Sequence, residues 1–545
     1  MKVWHVKQSF IPMILVLFIS IVHGQSKHPS IPHLVRQGSC SQLFIQGKPF
    51  LILAGELGNS TASDLAYLRP YWDNFKKMNL NTILCPVYWE LIEPKEGNFD
   101  FALVDSVIDS ARKYNLKLIL LWFGSWKNSM SCYAPSWVKR DLKRFPRART
   151  RSGQALDILT PFSEQNRNAD ARAFKALMHH IRSIDELEQT VIMIQVENEI
   201  GMIPDARDYC EQANQLFAGS VPADLMNYLQ KNKKALIPEF RQLWEQTGFK
   251  TSGTWEQVFG KGLQTDEIFI AWHFARYTDE VAKAGKEAYP LPIFVNAALI
   301  RPNFQPGQYP SGGPLPHLLD VWRAAAPHID FLAPDIYFKN FKEWCEKYDR
   351  SGNPLFIPEA ANSQSPVNAF YAIAQHNAMG YSPFSIESLK DPASHPIARA
   401  YDVLQQLEPL ILMKQGKGEM AGILLDSTHH HTQVQLGDYL FNIRHEYSWP
   451  YAQRSEGEVP RVGGMIIMLQ PDEFLIAGSG IIITFETRSN DGSIAGIERI
   501  DEGQFIHGIW KPGRRMNGDQ SHQGRHLHLP GGTYGIQKVK LYSYK

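Results

Sequence analysis

Two acidic residues at the ends of apolar runs suggest the chemistry of this chain. The segment Val191–Gly201 reads VIMIQVENEIG, so a mostly apolar run leads directly into Glu197, Asn198 and Glu199. Another glutamate, Glu359, also follows a short apolar run. Two carboxyl groups held in different environments can act as general acid, general base or nucleophile. A single acidic strand end would equally suit a solvent-exposed surface, so the prediction depends on a fold that brings Glu199 and Glu359 together.

Eight short apolar runs, which alternate with helical patterns, must position these groups. The runs are Phe50–Ala54, Thr82–Val87, Leu116–Leu121, Val191–Val196, Ile293–Val295, Phe331–Ala333, Leu355–Ile357 and Ser382–Ile386. Runs with little alternation are typical of parallel strands covered on both faces. Between them, Tyr67–Met78 and Phe101–Tyr114 repeat apolar residues at the spacing of helices. Eight such units predict an α/β fold, a closed (β/α)₈ barrel.

Polar or aromatic side chains stand at the ends of most of these runs. They are Glu56, Trp89, Glu90, Trp122, Asn198, Glu199, Asn296, Tyr337, Glu359 and Glu387. In such a barrel the carboxyl ends of the strands meet at the face where chemistry takes place. We therefore expect these residues to converge, with Glu199 across the barrel from Glu359. A separation of about 5–5.5 Å between the two carboxyl groups would suit double displacement, and about 6.5–9.5 Å would leave room for an activated water.

The composition argues against several other classes of protein. With 56 basic and 55 acidic residues, the net charge of +1 provides no field for nucleic acid or an anionic membrane. The five cysteines show no metal-binding spacing, so we expect mostly buried thiols, and neither a metal nor a cofactor. Thirteen tryptophans could include platforms for sugar rings, although most aromatic residues belong to cores. The sequence does not indicate an oligomeric state.

The first 24 residues resemble a secretory signal. Lys2 and Lys7 precede the apolar run Phe10–Val22, which is shorter than the roughly 20 residues of a membrane span. An uncleaved anchor is the alternative, which the short run and Pro12 both oppose. We expect a secreted or periplasmic protein without a membrane anchor in its mature form.

The pattern changes after the eighth run. We predict a barrel domain over residues 25–392 and a β-rich domain over residues 393–545. In the second domain, Pro396–Leu407 reads as a helix. The predicted strands are Ile423–Leu425, Gln433–Leu436, Gly464–Leu469, Phe474–Ala477, Ile481–Thr487 and Gln537–Tyr544. Short strands separated by turn residues predict an all-β, sandwich-like domain, which could bind carbohydrate or support the barrel.

Several motifs, taken in their order, resemble a known family. The Asn-Glu pair of the fourth run and the glutamate of the seventh resemble the clan of retaining glycoside hydrolases with (β/α)₈ barrels. The motifs VENEIG, VYWELIEP at Val87–Pro94 followed by Glu96-Gly97, and Gly55-Glu56 resemble the family 35 β-galactosidases of that clan. The resemblance implies an exo-acting enzyme that removes terminal β-galactosyl residues from oligosaccharides or polysaccharides with retention.

The same resemblance implies roles for individual residues. It implies Glu199 as acid/base, Glu359 as nucleophile, Asn198 as a hydrogen-bond partner of the sugar 2-hydroxyl, and Tyr337 as the residue that holds the nucleophile. The residues implied to line the terminal sugar site are Glu56, Trp89, Glu90 and Asn296.

The sequence departs from the family pattern where contacts to the sugar 3- and 4-hydroxyls are expected. Gly58-Asn59-Ser60 and Pro86 replace a His-Tyr pair and a tyrosine that many members have. Glu56 and Glu90 are the candidates for recognising the 4-hydroxyl. The alternatives are a glycosidase of the same clan with another specificity, namely a β-glucosaminidase, arabinosidase or endo-glycanase, or an inactive carbohydrate-binding barrel.

Overall fold

A computed structural model describes residues 30–350, 352–362, 365–448, 459–489 and 491–545. The predicted signal segment, residues 1–24, lies outside the described residues. Within the described part of the chain, no helix combines the length and the apolar character needed to cross a bilayer. All five cysteines are described and free, and Cys132 is the exposed one among them.

The centre of the molecule is a closed barrel of eight parallel strands. The strands up to the end of the barrel are β1 (His33–Gln37), β2 (Cys40–Ile45), β3 (Lys48–Phe50), β4 (Ile52–Glu56), β5 (Thr82–Tyr88), β6 (Lys117–Lys127), β7 (Arg147–Arg149), β8 (Ala155–Leu159), β9 (Val191–Asn198), β10 (Ile293–Ala298), β11 (Phe331–Ile336), β12 (Ile357–Ala360) and β13 (Gly380–Pro383). The barrel order is β10-β11-β12-β13-β4-β5-β6-β9, and β1–β3 form a separate antiparallel sheet. Each of the eight predicted runs contributes one barrel strand, so the predicted fold is confirmed.

Every barrel strand ends at a different residue from its predicted run, and the differences at β6 and β13 have clear local causes. Strand β6 continues past Leu121 to Lys127, because Trp122 and Trp126 are fully buried and act as strand residues. Strand β13 ends at Pro383, since Ser385 takes a left-handed conformation (φ 53°) and starts a 3₁₀ turn. Because β6 is longer than predicted, Lys127 lies at the carboxyl end of the barrel strands.

Helices surround the barrel. They are α1 (Leu65–Leu68), α2 (Trp72–Lys77), α3 (Trp89–Ile92), α4 (Ala102–Lys113), α5 (Ser136–Arg140), α6 (Glu164–Asp185), α7 (Glu211–Ala218), α8 (Ala223–Asn232), α9 (Pro238–Glu245), α10 (Trp255–Phe259), α11 (Leu263–Ala288), α12 (Leu319–Ala325), α13 (Phe341–Tyr348), α14 (Ser365–Gln375) and α15 (Pro396–Lys414). The helix predicted over Phe101–Tyr114 is confirmed as α4. The helix predicted over Tyr67–Met78 is interrupted by a 3₁₀ turn at Arg69–Tyr71, because Pro70 cannot donate a helical hydrogen bond.

The C-terminal region is a sandwich of two antiparallel sheets. Its strands are β14 (Met420–Leu425), β15 (His431–Leu436), β16 (Tyr439–His445), β17 (Val462–Gln470), β18 (Glu473–Ser479), β19 (Ile481–Thr487), β20 (Ile494–Ile506), β21 (Ile509–Arg515), β22 (Leu527–Leu529) and β23 (Gly535–Tyr544). The two sheets have the orders β14-β17-β18-β23-β20-β21 and β15-β16-β19-β22. Apolar side chains from both sheets share one core, in which Phe441 and Ile476 are fully buried. The predicted all-β domain is confirmed, with β16, β20, β21 and β22 as strands that the prediction lacked.

The part of the chain that follows the barrel strands contacts the barrel at two places. Helix α15 packs on the barrel, where the hydroxyl of Tyr401 donates to the carbonyls of Ala54 (2.9 Å) and Tyr381 (2.8 Å). At the start of β17, the guanidinium of Arg461 donates to Oδ1 of Asn368 at 3.1 Å and to the carbonyl of Lys339 at 2.6 Å. Since Lys339 lies just beyond β11, the sandwich supports a loop at the carboxyl end of the barrel.

Candidate active site

Four carboxyl groups meet at the carboxyl ends of the barrel strands. Glu56 ends β4, Glu199 follows β9, Asp335 belongs to β11 and Glu359 to β12, and all four side chains are buried. One carboxylate oxygen from each of Glu199, Asp335 and Glu359 lies within 4.8 Å of those of the other two. The fold therefore brings together the two glutamates that sequence alone left on separate strands.

The backbone that presents Glu199 is strained. Both Glu197 (φ 59°) and Glu199 (φ 47°) take left-handed conformations, which non-glycine residues adopt rarely. Two hydrogen bonds hold this arrangement. The N–H of Glu199 donates to Oδ1 of Asn296 at 3.0 Å, and the N–H of Trp126 donates to Oε2 of Glu197 at 2.7 Å. Glu197 thus makes a structural hydrogen bond, and the left-handed backbone places Glu199 in the cluster.

The surroundings of Glu199 change its pKa in opposite directions. Burial raises the pKa of Glu199, and this is the dominant effect. The positive charge of Lys127 opposes that rise, as do the neighbouring Asp335 and the hydrogen bond from Asn128. The amide of Asn128 donates to Oε2 of Glu199, and the ammonium of Lys127 donates to Oδ1 of Asn128. A raised pKa suits a general acid, and the opposing groups suit the ionised form that a general base requires.

Glu359 has its own hydrogen-bond donor. Burial, and then the charge of Glu199, raises the pKa of Glu359 to about 7. The hydroxyl of Tyr337 donates to Oε1 of Glu359, which favours the ionised carboxylate. Tyr337 is 43% exposed and therefore also faces solvent. Glu359 is thus prepared to become a carboxylate nucleophile near neutral pH.

The remaining two acids favour the neutral form. Burial, and then the charge of Glu359, raises the pKa of both Glu56 and Asp335 well above the ordinary range. Oε1 of Glu56 and Oδ1 of Asp335 have no hydrogen-bond partner among the described residues. A buried carboxyl oxygen without a hydrogen-bond donor is costly to ionise, which also favours the protonated form of both acids.

The two predicted asparagines belong to this cluster. Oδ1 of Asn198 accepts from the amide of Gln195 at 2.9 Å, while Nδ2 of Asn198 finds no partner within the described residues. Nδ2 of Asn296 donates to Oδ2 of Asp335 at 2.7 Å. Asn198 therefore has a donor available for a hydroxyl, whereas Asn296 chiefly organises its neighbours.

Two predicted sugar-site residues, Trp89 and Glu90, have partners outside the four acids. Trp89 is fully buried, and its indole N–H donates to Glu93 at 2.9 Å while its ring packs edge-on against Trp137. Glu90, at the start of α3, forms a 3.1 Å ion pair with Lys139. The prediction assumed that Trp89 and Glu90 continue strand β5. The chain instead turns from β5 into α3 at Trp89, so both residues belong to a helix. Their predicted roles at the terminal sugar site stay predictions.

Three cluster residues were absent from the sequence prediction, namely Lys127, Asn128 and Asp335. Asp335 shares a signal with Glu359, since each is an acidic residue at the end of a barrel strand. The prediction singled out Tyr337, two positions later, instead. Lys127 and Asn128 were missed because the third strand was predicted to end at Leu121.

The comparisons with known proteins concern mainly the barrel. The glycoside hydrolase family 42, described as β-galactosidase, matches residues 69–351, a little over half of the chain. A domain of unknown function (DUF5597) matches residues 397–528. The β-galactosidase of Xanthomonas manihotis is 26% identical over 210 residues, which are 36% of this chain and 31% of that protein. The chain thus spans less than a third of that relative, and membership of family 35 is not shown by these matches.

Solved β-galactosidase structures are also similar to the chain. The enzyme from Bacillus circulans sp. alkalophilus matches with 16% identity and a TM-score of 0.45, covering 66% of this chain and 57% of the other. The enzyme from Marinomonas ef1 matches with 12% identity and a TM-score of 0.46, covering 68% and 63%. The family match over residues 69–351 shows that this chain belongs to glycoside hydrolase family 42, the β-galactosidase family.

Proposed function

We propose that this protein is a retaining exo-β-galactosidase that hydrolyses terminal β-galactosyl residues of oligosaccharides or polysaccharides. The observation that supports this most directly is the approach of Glu199 and Glu359, whose nearest carboxylate oxygens lie within 4.8 Å. This separation suits double displacement, because an inverting pair needs about 6.5–9.5 Å to accommodate a water molecule. The family match and the motif resemblance to family 35 both favour the same substrate class.

In the first step, a carboxylate oxygen of Glu359 attacks the anomeric carbon while Glu199 transfers its proton to the leaving oxygen. The glycosidic bond breaks, and a glycosyl ester forms on Glu359. The ester has no charge, so the repulsion between Glu359 and Glu199 disappears and the pKa of Glu199 falls. Glu199 is thereby converted from an acid into a base.

In the second step, Glu199 takes a proton from water, and the water oxygen attacks the anomeric carbon. The ester bond breaks, Glu359 regains its charge and Glu199 regains its proton. Two inversions give net retention. The unpartnered Nδ2 of Asn198 and Oε1 of Glu56 are the polar atoms that we assign to sugar hydroxyls. Secretion or export to the periplasm, inferred from residues 1–24, belongs to the same proposal.

A panel of 4-nitrophenyl β-glycosides tests the activity. We expect the galactoside to be cleaved at least about 10²-fold more efficiently than the glucoside, which corresponds to roughly 2.7 kcal/mol of transition-state discrimination. Nuclear magnetic resonance of the first product should show the β-anomer. Equal rates on both epimers would overturn the galactosidase assignment, and an initial α-anomer would overturn retention. Glycan binding without any hydrolysis would favour the inactive carbohydrate-binding barrel.

A further inference from the structure

Asp335 is the buried acid in the cluster that double displacement does not use. Its side chain is 2% exposed, and its Oδ2 is fixed as an acceptor by Nδ2 of Asn296 at 2.7 Å. The other oxygen, Oδ1, has no donor among the described residues. A buried carboxylate oxygen without a donor is costly when ionised, whereas a protonated oxygen can itself donate.

Glu199 is a suitable acceptor for that proton. One oxygen of each carboxyl group lies within 4.8 Å of the other. Negative charge is better accommodated on Glu199 than on Asp335, because Asn128 donates to Oε2 of Glu199 and Lys127 adds a positive charge beside it. Two adjacent buried carboxyl groups do not both ionise readily, so the proton belongs on Asp335 when Glu199 is charged.

The other titratable groups around Asp335 are compatible with a proton on Asp335. They are Glu56 from β4, Glu359 from β12, Tyr337 after β11 and Tyr348 from α13, with Lys127 of β6 acting on the neighbouring glutamates. Each nearby carboxyl opposes ionisation of Asp335. The tyrosines are neutral over the ordinary pH range, since burial raises the pKa of both phenols.

We propose that Asp335 is a neutral carboxylic acid at neutral pH, which donates a hydrogen bond from Oδ1 to the ionised carboxylate of Glu199. Asp335 is then a positioning residue. It keeps its proton throughout the cycle and stabilises Glu199 in the charged form that activates water. This role rests on the proposed function, in which Glu199 is the acid/base.

An asparagine should reproduce such a residue, because its oxygen can accept from Asn296 while its Nδ2 donates to Glu199. We expect Asp335→Asn to keep kcat within about threefold of wild type and to leave both limbs of its pH profile unchanged. Asp335→Leu has a similar shape but no donor. It should lower kcat by about 10–100-fold on an activated aryl galactoside, the range expected for a lost hydrogen bond to a charged group. It should also shift the acidic limb of kcat to higher pH.

A buried aspartate outside the cluster provides the matched control. Asp320 accepts hydrogen bonds from the N–H of Ile237 at 2.6 Å and from the hydroxyl of Tyr228 at 3.3 Å, so it needs acceptors on both oxygens. Asp320→Asn should lower the Tm without moving the pH profile. Asp335→Asn should leave the Tm unchanged or raise it, which a merely structural aspartate would not do.

The result that would overturn the proposal is a shift of the alkaline limb to lower pH by at least about one unit in Asp335→Asn, because that shift would mean that an ionised Asp335 had been repelling Glu199. Equal losses in the Asn and Leu variants would overturn it as well. If Asp335→Asn does not fold, Asp335→Ser, whose hydroxyl also donates, is compared with Asp335→Leu in the same assay.

Infrared difference spectroscopy tests the proton without relying on activity. Wild-type protein with isotope-labelled aspartate, minus Asp335→Asn at pH 7, should show the C=O band of a protonated carboxylic acid. A carboxylate band in its place would overturn the proposal. If the wild type cleaves no glycoside at all, the proposed function fails, while the infrared result still decides whether Asp335 holds a proton.

Discussion

The backbone N–H of Glu199 donates a 3.0 Å hydrogen bond to the side-chain oxygen of Asn296. The amide nitrogen of the same residue donates to Asp335 at 2.7 Å. One side chain therefore supports the left-handed backbone at Glu199 and fixes the orientation of the neighbouring acid. A left-handed non-glycine residue costs about 1–3 kcal/mol, so the strain persists because several bonds determine it together. Rigid presentation of this kind is what acid/base catalysis requires.

Replacing the assigned nucleophile tests the chemistry most directly. Glu359→Ala removes the group that forms the glycosyl ester, so we expect kcat to fall by at least about 10²-fold while the circular dichroism spectrum is retained. Glu408→Ala is the control, because Glu408 is a partly buried glutamate of α15 that accepts from the N–H of Leu51, outside the cluster. More than a few per cent of wild-type activity in Glu359→Ala would contradict the assignment.

The role of Glu199 as acid/base can be tested with substrates that have different leaving groups. An acidic phenol needs little protonation, so Glu199→Ala should spare the glycosylation step for activated aryl galactosides and slow it by about 10²–10⁴-fold for unactivated disaccharides. Azide needs no general base, and we expect it to restore turnover and yield a β-galactosyl azide. Equal losses on both substrate types, or an α-galactosyl azide, would count against this role of Glu199.

The hydroxyl of Tyr337 should set the acidic limb of kcat/KM. Glu359 must be ionised to attack, and its raised pKa of about 7 predicts that activity falls as the pH drops through neutrality. The hydrogen bond from Tyr337 lowers the pKa of Glu359, so Tyr337→Phe should raise it and shift the acidic limb to higher pH by about one to two units.

Tyr228→Phe is the matched control for that experiment. Its hydroxyl donates to Asp320 at 3.3 Å, which makes another Tyr–carboxyl pair outside the cluster. This variant should leave the pH profile in place. An unchanged acidic limb in Tyr337→Phe would indicate that the hydroxyl does not act on the nucleophile.

We expect the contacts of Arg461 to affect both the stability of the protein and its activity. Its bonds to Asn368 and to the carbonyl of Lys339 hold the chain two residues beyond Tyr337. Arg461→Met removes both donors and should lower the free energy of unfolding by about 1–3 kcal/mol. We expect kcat/KM to fall as well, with the acidic limb displaced in the same direction as in Tyr337→Phe. Arg514→Met, which removes an exposed pair with Glu502, should change neither quantity.

Local sequence patterns were sufficient to predict the barrel and the β-sandwich of this protein. Apolar runs determine buried strands because the side chains must leave water, and polar residues at the run ends must then emerge at one face of a closed barrel. This reasoning located all eight barrel strands, the β-sandwich, Asn198-Glu199 and Glu359. Strand ends were less certain, since the continuation of β6 to Lys127 depends on burial of Trp122 and Trp126 by other parts of the chain.

Tertiary structure alone decided which side chains share the cluster and which of them hold protons. Trp89 ends a strand in sequence but is buried between other aromatic rings, while Asp335, which was not singled out, lies beside Glu199. Whether an acid is ionised depends on the charges and donors within a few ångströms of it, and these come from strands far apart in the chain. Sequence by itself determined the chemical groups available at the barrel face, and packing determined their distances and protonation.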